Sequence, residues 1–314
     1  MINLLVDGNN LAHRCKYKFD LSNNGIDVSV TYGFIKVLSS TMSKLNADTT
    51  TVAWDWGIPE HRRAALPEYK ANRIKNWEPE EFEDFNRQLD ELHYILPDFG
   101  IMSVTRPACE ADDILYQASR IFEGDSIIVS NDQDMWQAIN DSTTVYNPNK
   151  DQILDALYVE NECGITVNKY LDWRAIQGDS SDNIQGVTGV GPKTATKMFD
   201  KWGTLTGIIN ACKSGKETAK IATNIVAFGE NRIFNNIYVM ALYADRAGAR
   251  LELSQCVNEY TRANRGEMKA YLVGNAFMSL LNPEFIQLML HQNVPIIKEG
   301  IRMPMVCERR YPVE

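Results

Sequence analysis

Residues 2–7 read INLLVD, a run of strand-forming, mostly apolar residues closed by an aspartate. A short apolar run of this kind, bounded by polar turn-formers, reads as a strand buried on both faces. Three similar runs follow: TTTVAW at 49–54, SIIVS at 126–130 and TTVYN at 143–147. Helix-like stretches lie between them, including VTYGFIKVLSSTMSKL and EADDILYQASRIF. Buried strands separated by helices imply a mostly parallel sheet with right-handed crossovers, hence a three-layer α/β unit over roughly residues 1–150.

At 314 residues, 44% hydrophobic and 23% charged, the chain can bury the core of one large or two modest domains. No run approaches the roughly 20 apolar residues a membrane span needs, and MINLLVDGNN turns acidic too soon for a secretory signal. A cytoplasmic location, bacterial or in the host of a virus, is the expectation. Cys15, Cys109, Cys163, Cys212, Cys256 and Cys307 are widely spaced, with no CxxC pair and no neighbouring His to complete a zinc site, so they read as reduced thiols. A net charge of −9 excludes a uniformly basic nucleic-acid coat. Any such binding must use local basic surface or bridging cations.

The segment from Trp56 to about Pro97 breaks the strand–helix alternation. It carries His61, Arg62, Arg63, Lys70, Arg73 and Lys75 ahead of an acidic helical stretch beginning EPEEFEDF. Such a segment reads as a lid or binding loop, or as a solvated helical excursion. From about Thr166 the chain becomes helical, with Gly-rich turns around GVTGVGPKTA. The expected division is a catalytic core over 1–160 with the insert at about 57–97, a helical nucleic-acid-binding unit over 161–250, and a region over 251–314 without a readable motif.

Three of the four strands run into acid: Asp7 follows INLLV, Asp55 follows TTTVAW, and Asp132 and Asp134 follow SIIVSN. The carboxyl ends of strands in an open α/β sheet border the crevice where ligands bind, so these side chains should converge. Glu110, Asp112 and Asp113 open a helix, where one acid would serve as a cap but three exceed that need. Asp179 and Asp182 sit in a turn-rich sequence, where acids are ordinary, just ahead of the Gly-punctuated motif. Crowded carboxylates raise one another's pKa unless protons or cations neutralise them. Oxygen donors without His or Cys suit Mg²⁺ or Mn²⁺, and two or more such ions would support phosphodiester hydrolysis.

GVTGVGPKTATKMFDKWG reads as a Gly-Val-Gly hairpin, Gly189 to Gly191, opening a helix with Lys193, Lys197 and Lys201 on one face. Glycines let the backbone approach a phosphate, and the helix start and lysines supply positive potential. From Gly186 to Arg232 seven basic residues face three acidic ones, against the balance of the whole chain. A lysine stripe alone is usually a solvated face.

Taken in order, DGNNLAHR, WDWGIPEHRRAALPEYKANR, CEADD, SNDQD and GDSSDNIQGVTGVGPKTA resemble the motifs of the 5′ nuclease family, which includes flap endonucleases and the 5′ nuclease domain of bacterial DNA polymerase I. The resemblance covers roughly residues 1–235 and implies a PIN-like core, a helical arch insert and a helix-three-turn-helix DNA-binding element. It implies a first metal cluster of Asp7, Asp55, Glu110, Asp112 and Asp113, and a second of Asp132, Asp134, Asp179 and Asp182. By the same likeness Lys70 contacts the scissile phosphate, with Arg73 beside it, Tyr69 stacks on a base, and Arg62 belongs to the arch base. A K⁺ ion at the Gly-hairpin is a further expectation. The implied substrate is DNA with 5′ flaps, nicks or ends, RNA–DNA hybrid included, handled by a monomer that resembles the freestanding form.

One departure concerns the gateway. Where the family commonly has Phe-Arg-x-Glu, this chain has His61, Arg62, Arg63 and Ala64, so a carboxylate partner for the arch-base arginine is expected to be missing. Two other readings share many of these features: a PIN-type ribonuclease, which usually lacks the Gly-hairpin and lysine helix, and a structure-specific DNA-binding protein without turnover.

Overall fold

The computed structural model describes residues 1–73, 77–242, 257–259 and 263–298. Lys75, Cys256 and residues 299–314, Cys307 included, lie outside them. The chain runs β1 (Ile2–Asp7), α1 (Gly8–Lys16), a small hairpin β2 (Ser22–Asn23) and β3 (Ile26–Asp27), α2 (Ser29–Lys44), β4 (Thr49–Trp54), α3 (Glu60–Ala65), α4 (Pro79–Ile95), β5 (Met102–Thr105), α5 (Ala111–Ile121), β6 (Asp125–Val129), β7 (Thr143–Asn147) and β8 (Gln152–Leu154). Then come α6 (Ala156–Cys163), α7 (Tyr170–Gln177), a second hairpin β9 (Gly178–Asp179) and β10 (Ile184–Gln185), α8 (Pro192–Trp202), α9 (Leu205–Lys213), α10 (Lys220–Phe228) and α11 (Glu230–Met240). The described remainder holds β11 (Val257–Glu259), α12 (Arg265–Gly274) and α13 (Pro283–Leu290).

The central sheet has the order β11-β5-β4-β1-β6-β7-β8. Its inner pairs are parallel, and only the edge strands β8 and β11 run antiparallel. Alternation along β1 sends Leu4 and Val6 into one core and Leu5 into the other, so both faces are buried, as a parallel sheet requires. These three side chains are fully buried, each contributing about 1.5–3 kcal/mol of apolar burial. Gly8 opens α1 against Trp54, whose ring would lie 2.5 Å from a Cβ placed there. That contact lets α1 start directly at the end of β1.

The insert divides into two parts with different partners. Its acidic half is α4, which buries Phe85, Leu92 and Ile95 against the core instead of standing in solvent. From α4, Gln88 Oε1 accepts hydrogen bonds from the N–H groups of Val30 (2.9 Å) and Thr31 (3.1 Å), closing the open amino end of α2. The helices that follow the sheet share its core: one continuous apolar cluster runs from Leu5 to Leu242. The carboxyl-terminal helices fold back onto the opposite face through Met268, Leu272, Phe285, Ile286 and Met289.

Candidate active site

Asp7 ends β1 and is the N-cap of α1, its Oδ1 accepting from the Asn10 N–H at 2.9 Å. Asp55 follows β4 and accepts from the Ala111 N–H at 2.8 Å, which ties the end of that strand to the start of α5. Asp132 follows β6 and accepts from the Asp134 N–H at 2.8 Å. Asp112 and Asp113 lie in the first turn of α5, with Glu110 as its N-cap. Asp179 and Asp182 belong to the β9–β10 hairpin and its turn.

These acids act on one another. Burial pushes Asp7 up to about 7, with Asp55 and Asp132 adding to the effect. Burial also lifts Asp112 well above the usual carboxylate range, reinforced by Asp7, Asp132 and Asp55. Asp134 is pushed up to about 7 by burial and by Asp132, with Arg174 partly opposing. Asp132 is raised as well, by burial and, among its acidic neighbours, by Asp182 and Asp179. Convergence of Asp7, Asp55, Asp112, Asp132 and Asp134 therefore shows as shared electrostatic strain, to which Asp179 and Asp182 contribute by raising Asp132 and Asp134.

Cations from the insert fold into this acid. Lys70 pairs with Glu110 and lies 3.8 Å from Asp182, while its own N–H donates to the Asp182 carbonyl at 3.0 Å. Its backbone is left-handed, at φ 57°, a conformation that costs a non-glycine residue roughly 1 kcal/mol or more and recurs where a side chain must be aimed. Arg73 pairs with Asp182 from a more exposed position. Burial alone would raise Glu110, yet Arg62 and Lys70 outweigh it and hold that carboxylate below its ordinary value.

The structure places Arg62, Tyr69 and Asp113 inside the fold. Arg62 does not reach the surface: it is 2% exposed and grips both oxygens of Asp113 at 2.7 and 2.9 Å. It also pairs with Glu110 and donates to the Val239 and Ala241 carbonyls at the end of α11. The carboxylate partner expected to be missing is thus supplied twice, from α5 and its cap. Asp113 is thus engaged by Arg62 in the interior. Tyr69, expected to stack on a base, is buried, and its hydroxyl donates to Glu110 (3.1 Å) and Asp182 (3.2 Å).

At the hairpin, Gly189 has φ +81°, which favours glycine, whereas Gly191 is extended, caps α8, and would meet nothing within 4 Å if it carried a Cβ. Lys193 and Lys197 are exposed on α8. Lys201 is tied instead to Glu217 at 2.7 Å, a carboxylate that also accepts from Trp202 Nε1.

Residues 3–164 match the N-terminal resolvase-like domain of the 5′-3′ exonuclease family, and residues 165–257 match its C-terminal SAM fold. The chain belongs to the 5′-3′ exonuclease family. Membership makes it a hydrolase of the nuclease class. Among relatives of this family member, the thermostable DNA polymerase I of Thermus aquaticus is 29% identical over 286 residues, covering 89% of this chain and 32% of that one. The enzyme of Thermus filiformis is 32% identical over 210 residues, covering 66% and 24%. The chain thus spans a quarter to a third of these relatives' length. The bacteriophage T5 flap endonuclease, solved with DNA and metal ions, superposes with a TM-score of 0.67 at 24% identity, covering 77% of this chain and 89% of that one. The catalytic core of Rad2 with DNA substrate gives 0.59 at 13% identity, covering 91% and 92%. Both structures share the fold.

Two contributors to this exonuclease-family site were not singled out from the sequence. Arg174 of α7 pairs with Asp179 and lies 3.2 Å from Asp134, placing a cation inside the second acidic group. Its place one turn before the end of an apolar helix that leads into GDSSD was the available signal. Ser130 bridges Asp7 and the Asp132 N–H. Among the described residues no three His, Cys, Asp or Glu side chains are already drawn into metal-holding range. The donor chemistry nevertheless fits a hard cation: the carboxylates act on one another without imidazole or thiolate among them, and burial together with neighbouring carboxylates raises Asp7, Asp112 and Asp134 even with Lys70 and Arg174 nearby.

Proposed function

We propose that this chain hydrolyses phosphodiester bonds near 5′ ends and junctions of flapped or nicked duplex DNA, with Mg²⁺ or Mn²⁺ held by Asp7, Asp55, Glu110 and Asp112 and by Asp132, Asp134, Asp179 and Asp182. What carries the reading is the meeting, at the carboxyl edge of one sheet, of acids from three strand ends with Lys70 and Arg73 from the basic half of the insert. Bound divalent ions would supply Lewis-acid polarisation of the phosphate and acidify a water molecule. Lys70 would exchange Glu110 and Asp182 for the scissile phosphate and, with Arg73, stabilise its growing charge. Arg62 would hold Glu110 and Asp113, fixing the amino end of α5 from inside the fold. Lys193, Lys197 and the backbone from Gly189 to Gly191, with K⁺ as an accessory ion there, would grip a phosphate backbone without reading bases.

This reading divides the chain into a catalytic core over 1–160, including the arch insert at 57–97, and a DNA-gripping unit over 161–250, acting as a monomer. The deciding measurement is single-turnover cleavage of a 5′-labelled flap duplex with Mg²⁺. Cutting close to the junction, leaving a 5′ phosphate on the downstream product, is the expected outcome. Intact flap and nicked substrates would sink the proposal, and preferential cutting of unstructured RNA would transfer the site to ribonuclease chemistry.

A further inference from the structure

The basic half of the insert meets the turn of the second acidic group through neutral bonds as well as through Lys70 and Arg73. Asn183, which follows Asp182, donates from Nδ2 to the Glu68 carbonyl at 2.8 Å. Asn72 returns the contact, its Nδ2 donating to the Ser180 carbonyl at 2.8 Å. Between these two bonds runs the one from the Lys70 N–H to the Asp182 carbonyl, at 3.0 Å. All three end on main-chain carbonyls and begin on uncharged amides, so they hold whatever charge the neighbouring carboxylates carry.

The backbone on both sides is committed to this meeting. Lys70 has φ 57° and Asn183 has φ 60°, both left-handed. Asparagine visits that region readily, whereas a lysine there has to be held by its surroundings. Local bonds from the Tyr69 N–H to Leu66, from Ala71 to Glu68 and from Arg73 to Lys70 wind the segment into tight turns. The cross-bonds then fix those turns against Asp182. The Lys70 ammonium can leave Glu110 and Asp182 for another anion by rotating about its side-chain bonds, and the three cross-bonds need not break when it does.

We infer that Asn72 and Asn183 are positioning residues for Lys70: as a reciprocal clasp they hold its backbone against the second acidic turn, so that its ammonium is delivered among the carboxylates. The consequence for cleavage rests on the nuclease reading, whereas the clasp itself does not.

The test uses the full chain with Asn183→Gly and Asn72→Ala, each made alone and together with Lys70→Ala. Glycine keeps the left-handed backbone at position 183 and deletes only the amide donor. Asn72 is exposed, so its variant keeps the test open if Asn183→Gly fails to fold. Amide hydrogen exchange across residues 66–73 reads the clasp, and single-turnover cleavage of a flap duplex at saturating enzyme reads its effect. Each single variant should speed exchange at the Lys70 amide about tenfold and slow cleavage about tenfold, with affinity for the duplex in Ca²⁺ held within about twofold. Added to Lys70→Ala, neither should slow cleavage further, because the group they position is gone. Unchanged exchange, faster exchange with a wild-type cleavage rate, or equal slowing in the Lys70→Ala background overturns the inference. So does weaker duplex binding that accounts for the lost rate, since that would make the asparagines substrate contacts. If the wild-type chain leaves the flap duplex intact while both variants still speed exchange at Lys70, the nuclease reading fails and the clasp stands.

Discussion

The two edges of the central sheet are held in opposite ways. At the carboxyl edge β1, β4 and β6 run into Asp7, Asp55 and Asp132, with Arg62, Lys70, Arg73 and Arg174 folded among the surrounding acids. At the amino edge the same strands are strapped by the chain after α13 through neutral bonds. The Asn293 N–H donates to Asp48, Glu123 to the Ile296 carbonyl, and Lys298 to the Ile121 carbonyl. Gln292 reaches between, accepting from the buried Thr50 hydroxyl at 2.8 Å and donating to the Ala47 carbonyl. Bonds between neutral groups such as these add stability at any ordinary pH. A charged edge spends part of the fold's stability on groups whose charge is available for chemistry.

The largest effects are therefore expected where charge is removed from the carboxyl edge. Lys70→Ala and Asp132→Asn should each lower the single-turnover rate on a flap duplex by two or more orders of magnitude, about 3 kcal/mol in the barrier. Binding in Ca²⁺ should survive in both. A variant that cuts at the wild-type rate removes its residue from the chemistry.

Arg62→Ala separates holding the edge from acting at it. Removing the guanidinium leaves Glu110 and Asp113 buried without their partner, a change expected to cost about 3–5 kcal/mol in chemical denaturation. Arg62→Lys should recover only part of that, because a single ammonium cannot serve both oxygens of Asp113 and the Val239 and Ala241 carbonyls together. Wild-type stability in Arg62→Ala would mean that the pairing is incidental.

Next in size is a change of opposite sign. Asp7 and Asp134 are raised by burial to about 7, above their usual value of 3.8. In metal-free protein their contribution is present below about pH 4 and fades as pH rises through 7. Asp112→Asn relieves the same crowding and should raise the thermal midpoint in EDTA by a few degrees at pH 8, with a smaller gain at pH 5. Mg²⁺ should stabilise the wild type more than the variant. His93 pulls the other way in this window. Burial lowers it to about 4, and it sits beside the Ser103 hydroxyl, so its contribution is present above about 6.5 and fades as pH falls towards 4. The difference between wild type and variant, both carrying His93, isolates the carboxylates. A lower midpoint for Asp112→Asn at both pH values would refute the account of crowding.

How much of this was legible depends on whether the signal was local. Four strands stood out because β-branched or aliphatic runs ended in acid, and that pattern also placed Asp7, Asp55 and Asp132. Met102–Thr105 escaped because four residues containing Met and Ser carry little periodicity, and β8 and β11 are shorter still. The partners of Arg62 were unreadable for a different reason: Glu110 and Asp113 are 48 and 51 residues away, and only the folded sheet brings them together. The same holds for Gln88, whose role at the start of α2 depends on α4 packing there. In the carboxyl-terminal region a local signal existed, Asn282 followed by Pro283, and it does cap α13. The residues that α13 buries, Phe285, Ile286 and Met289, acquire meaning only against a core assembled from the far end of the chain.

The smallest expected effect probes the quiet edge. Gln292→Ala deprives the Thr50 hydroxyl, on a side chain 1% exposed, of its recorded acceptor and removes the donor to Ala47. The cost should be about 1 kcal/mol, the usual penalty for one buried polar group left unsatisfied. Because this edge carries no titrating group in that contact, the loss should be the same at pH 5 and pH 8, in EDTA and in Mg²⁺. Flap cleavage per folded molecule should not change. A loss that varied with Mg²⁺ would show that the strap communicates with the carboxylates through the strands, and the two edges would then have to be treated as one cooperative unit.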